Sequence, residues 1–203
     1  EYPVKDFNSD ISIMMKLGDA HSGRVELQNP TGTMQMLTAD RKNLIQLSAG
    51  SIQLNTLKPY PGWDCFLPRI ERMLEALLAH YEGENFIFMS LRYINEIKTP
   101  EEPVTLKEYL NIYFNMPETG SGLPYNFQLV LEQPRQDGVR SIILLKPKLH
   151  TKTKMLFLDI NFIAENIAAE KGIIIKRVEE LHNSIGKYFE QVITEKTREI
   201  MNG

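Results

Sequence analysis

The chain has 203 residues, 42% hydrophobic and 24% charged, with a formal net charge of -3. That length supports a substantial core in one large domain or two fused halves, and the mild acidity argues against a global field for nucleic acid or anionic lipid. A lone cysteine, Cys65, rules out an intrachain disulfide and suits a reducing compartment. No apolar run is long enough to cross a bilayer and no signal peptide is visible, so a cytoplasmic location without membrane attachment is expected.

The opening 20 residues are ambiguous, since ISIMMKLGD reads as a short strand or a broken helix turn. RVELQNPTGTMQMLTA predicts two strands around the Asn29–Gly32 turn. NLIQLSAGSIQLNTL predicts two more around Ala49-Gly50. Their rough alternation suggests a sheet with one wet face. A helix is then expected from about Asp64 to Tyr81, with Trp63, Phe66, Ile70, Met73, Leu74, Leu77 and Tyr81 as its apolar stripe and Pro68 in its first turn.

The second half predicts a long strand from Phe86. A short helix follows over TLKEYLNIYF, with Thr105 as cap and Glu108 as its capping-box partner. PYNFQLVLEQ, VRSIILLKP and KMLFLDINF read as strands, with a turn at Gln136–Gly138 and a basic loop, KPKLHTKTK, between the last two. A final helix is expected from near Lys176, its stripe formed by Val178, Leu181, Ile185, Tyr188, Phe189, Val192 and Ile193. The fold class is therefore α+β: an antiparallel sheet packed against long helices. Two fused βαβββα-like units would make one curved sheet, with residues 1–84 a first half lacking its opening strand and helix and 85–203 the second. An irregular α+β domain without symmetry fits the same pattern.

Four stretches stand in order across most of the chain: LKPYPGW at Leu57–Trp63, LRYINEI at Leu91–Ile97, FLDINF at Phe157–Phe162 and ITEKTREI at Ile193–Ile200. In that combination the sequence resembles a sporadically distributed bacterial protein family. The resemblance implies organisation rather than activity, because the family brings no established reaction. It implies a further strand and helix ahead of the segment that begins here with EYP. Thr56, Asn161 and Glu96 stand where that family often has an arginine, an aspartate and an arginine.

Arg92 and Asp159 are the charged residues that stand out, because both lie in strongly apolar strands. A buried charge is costly unless paired, so an internal ion pair is expected, with Asn161 and Asn95 as candidate neighbours. Arg92, Asp159 and Asn161 are also the candidate ligand-binding residues for a small anion. Strand parity puts Tyr93 and Asn95 on the face opposite Arg92, which argues against a compact catalytic cluster and makes Tyr93 a packing residue. Lys146, Lys148, Lys152 and Lys154 form a local basic patch; a solvated loop that discourages edge association explains it more simply than a phosphate contact.

The four histidines have no metal-site spacing, and GSG at Gly120–Gly122 lacks the lysine of a phosphate loop. Cys65, flanked by Trp63 and Phe66, is expected to be an inert packing residue. The expectation is a non-enzymatic binding or protein-interaction module without a cofactor. Its partner would be an unidentified protein or small molecule, and the mixed charged face of the last helix allows a homodimer. Two alternatives stay open: an enzyme or sensor holding a small anionic ligand near Arg92 and Asp159, and a nucleic-acid-binding protein using the Lys146–Lys154 loop.

Overall fold

A computed structural model describes residues 9–17, 34–48, 50–99, 104–112, 127–135, 138–148 and 154–202. The first of the two strands expected around Asn29–Gly32, the GSG stretch, most of the Gln136–Gly138 turn, and Lys152 with His150 lie outside the described residues.

The strands are β1 (Ser9–Leu17), β2 (Met34–Leu37), β3 (Asn43–Ser48), β4 (Ser51–Thr56), β5 (Asn85–Lys98), β6 (Leu129–Pro134), β7 (Val139–Lys148) and β8 (Met155–Ala168). They form one antiparallel sheet in the order β2-β3-β4-β1-β5-β8-β7-β6. The helices are α1 (Trp63–Leu78), α2 (Leu106–Tyr109), α3 (Lys171–Val192) and α4 (Glu195–Asn202). The fold is α+β, as the alternation and helical stripes predict.

The ambiguous opening segment is a strand, and it is central. β1 pairs with β4 on one side and β5 on the other. Ile13 and Met15 point to the helix side and are wholly buried. β3 and β4 close a hairpin with Ser48 opposite Ser51, and Gly50 takes the positive φ of 75° that its turn needs.

α1 begins one residue earlier than expected and ends at Leu78. Pro68 thus sits in the second turn rather than the first, where it removes the bond to the Asp64 carbonyl. Phe66, Ile70, Met73 and Leu74 form its buried stripe. α3 starts at Lys171, five residues before the expected Lys176, and buries Ile174, Val178, Leu181, Ile185 and Val192. It stops where Ile193 forms a strand-like bridge with Leu110, and α4 continues beyond.

The expected capping box does not form. α2 is a single turn, Thr105 makes no side-chain cap bond, and Glu108 instead pairs with Lys196 at 2.7 Å. β8 is also longer than expected and runs six residues past Phe162, because β5 offers partners as far as Asn85 opposite Ala168.

Both long helices pack on the same sheet face. The core there joins Ile13, Leu54, Met89, Leu91, Leu158 and Ile160 to the stripes of α1 and α3. Among the described residues no helix covers the other face, which carries Ser12, Arg92, Ile94, Asp159 and Asn161.

Candidate functional site

β5 and β8 pair along their whole length, with Arg92 opposite Asn161 and Ile94 opposite Asp159. Directly opposed residues share a face. Arg92, Asp159 and Asn161 therefore meet on the helix-free face, and Arg92 reaches Asp159 on the diagonal.

The contact is bidentate. Arg92 Nε donates to Asp159 Oδ1 at 2.8 Å, and Nη2 donates to Oδ2 at 2.5 Å. The Asp159 side chain is 10% exposed and that of Arg92 41%. Hydrogen bonding to Asp159 holds the Arg92 proton more tightly than usual, against the opposing effect of burial. Both carboxylate oxygens are engaged, so an anion entering here would compete with Asp159 for the same nitrogens.

Asn161 lies beside the pair, and its Oδ1 is buried without a hydrogen-bond partner. Asn95 lies on the other face and donates from Nδ2 to the Leu158 carbonyl at 3.2 Å. Lys146 and Lys148 do share the Arg92 face, opposite Phe157 and Met155. Lys146 Nζ sits 5.6 Å from the centre of the Phe157 ring, a packing position for its stem. Lys154 precedes β8, where its carbonyl accepts from the Thr99 amide at 3.0 Å.

Cys65 is exposed rather than packed, because the outward side of α1 carries it together with Asp64. Among the described residues no group of three histidine, cysteine or acidic side chains is placed to hold a metal.

Three features escaped the sequence reading. Arg69 of α1 donates from Nη1 to Thr56 Oγ1 and Asn43 Oδ1, tying the helix to β3 and β4. His182 of α3 stacks on Trp63 of α1, with ring centres 3.9 Å apart and planes at 1°. Its Nδ1 lies 2.8 Å from the Tyr93 hydroxyl. Burial pushes the His182 pKa down to about 4, with Asp64 pulling weakly the other way. Burial also raises Tyr93 well above the ordinary tyrosine value. Tyr93 is thus a packing residue with its hydroxyl satisfied.

The third feature is a cleft of about 1180 Å³ between the β6–β7 hairpin and α3. Arg135 and Val139 line it from the hairpin, and Arg177, Ser184 and Lys187 from the helix. The signal for it is a polar stripe on α3, spaced three to four residues apart and adjacent to the buried one.

No protein-family model, curated protein or solved structure matches the chain. No helix among the described residues is long and apolar enough to cross a membrane.

Proposed function

We propose that the protein is a non-enzymatic binding module that presents the helix-free face of its sheet to an apolar patch on a protein partner. The supporting observation is the local pairing of charge around the centre of that face, with Lys146 and Lys148 forming a basic rim at the end of β7. Arg92 pairs with Asp159, Glu96 with Lys58, and Arg140 with both Glu132 and Glu165. Between these pairs lie half-buried Ile94, Ile142, Leu144 and Phe157. Interface centres combine apolar side chains with little unpaired charge, and polar groups ring them. Arg92 acts as a strut between β5 and β8, fixing the surface on which the apolar side chains stand.

Site-specific photo-cross-linking in living bacteria tests this reading. A photoreactive residue at Ile142 is expected to give a discrete protein adduct, and one at Glu179, on the outer side of α3, is expected to give none. A self-adduct at Ile142 would identify the partner as a second copy. Equal labelling at both positions, or none at either, would sink the proposal.

A further inference from the structure

We propose that the cleft between the β6–β7 hairpin and α3 binds a small organic carboxylate, through Arg135 and Lys187. This site is separate from the helix-free face and does not depend on it.

Arg135 is held in place from two sides. Its guanidinium carbon lies 4.5 Å from the centre of the Phe162 ring and 4.6 Å from that of Tyr188. The two rings meet edge to face, with centres 5.9 Å apart, and form a corner for the cation. Its backbone amide donates to the Val139 carbonyl at 2.7 Å, which anchors the residue to the hairpin. Cation–π contact fixes a guanidinium without using its N–H groups.

Those N–H groups find no acceptor among the described residues. No carboxylate or carbonyl among the described residues takes a hydrogen bond from the Arg135 side chain, and its Nε is buried without a partner. Every other charged residue that lines the cleft, apart from Lys187, is neutralised nearby: Arg177 Nη1 pairs with Glu180 at 2.9 Å. Lys187 has no described ion-pair partner. The chain carries a net charge of -3, yet among the described residues this cleft holds two uncompensated cations. With Nε buried, the Nη1–Nη2 edge of the fixed guanidinium is the one that matches a planar oxyanion in bidentate fashion, and the Lys187 ammonium lining the same cleft adds charge.

The remaining lining sets the body of the ligand. Pro134, Val139, Phe162 and Leu181 give the cleft apolar walls, and Ser184 and Asn183 add polar groups on α3. A carboxylate with an apolar or aromatic body meets both parts. A bare inorganic anion meets only the cations.

The test is a titration of the full chain with benzoate and, separately, with inorganic phosphate, followed in NMR spectra by the Arg135 Nε–H signal and, in every variant, by the backbone amide signals of Val139 and Ser184, which line the same cleft. Benzoate is expected to shift that signal saturably and to bind about tenfold more tightly than phosphate, since burying its ring adds affinity that phosphate lacks. Arg135→Gln is expected to weaken benzoate about tenfold, the scale of one charge-assisted hydrogen bond. Lys187→Gln, at an exposed position that folding does not need, is expected to weaken it severalfold. Benzoate binding unaffected by both substitutions would overturn the proposal. So would a saturable phosphate response without one to benzoate, or no saturable shift with either probe.

Discussion

The bidentate geometry of Arg92 and Asp159 predicts an asymmetry. Arg92→Leu alone leaves Asp159 buried without its partner, and we expect a loss on the order of 2 kcal/mol after discounting for the solvent that reaches Arg92. The double substitution Arg92→Leu with Asp159→Leu is expected to be closer to wild type in urea unfolding. A double variant less stable than the single one would show that the pair does more than satisfy its own burial. Arg92 and Asp159 were legible because ionised side chains in apolar strands have few stable fates other than pairing. His182 was not legible, because its partners Trp63 and Tyr93 come from distant parts of the chain and only the fold brings them to it. Its ring stacks on Trp63 and lies beside Tyr93, and among the described residues Asp64 is the only carboxylate that acts on it. The unfolded chain takes up a proton at this histidine below about pH 6.5, whereas the folded ring resists until about pH 4. Its contribution is therefore complete above pH 6.5 and lost as pH falls toward 4, by on the order of 2 kcal/mol given partial exposure. His182→Gln is expected to remove that part of the pH dependence of the urea midpoint between pH 7 and 5; an unchanged slope would assign it elsewhere.

Among the elements, periodicity revealed what local spacing could carry and missed what pairing decided. The α1 stripe and the β3–β4 hairpin follow directly from residue spacing and a turn glycine. IAENIA reads as well for a helix as for a strand, and pairing keeps it in β8: β7 reaches Ala164, and β5 alone accompanies it from there to Ala168. The Thr105–Glu108 signature failed for a similar reason, since Lys196 of α4 competes successfully for the carboxylate. Gly62 before α1 has φ 100° and ψ 164°, a conformation that only glycine adopts readily. A Cβ there would meet nothing within 4 Å, so the cost of Gly62→Ala is backbone strain alone, about 1–3 kcal/mol. Met15→Ala in the wholly buried centre of β1 is expected to cost about 2–5 kcal/mol. Chemical denaturation of both variants checks these values; a neutral Met15→Ala would mean that β1 is not part of the cooperative core.

For the molecule as a whole, the strand order reads 1-4-3-2 outward from the middle on one side and 5-8-7-6 on the other. The two sets join through the β1–β5 pairing, from Ser9 opposite Asn95 to Leu17 opposite Phe86, and α1 touches α3 across the same boundary. That continuity predicts a single unfolding transition, with Trp63 fluorescence and far-ultraviolet circular dichroism giving the same midpoint. Two separated transitions would mean that the halves fold independently. Function was harder to read than fold because both candidate surfaces are assembled from residues that no local motif joins. The central position of β1 also has a consequence for synthesis. This strand leaves the ribosome before either neighbour exists, and its second edge stays open until Lys98 has followed. An apolar strand that must wait for distant partners delays closure of the sheet and, in the interval, is a natural substrate for a chaperone.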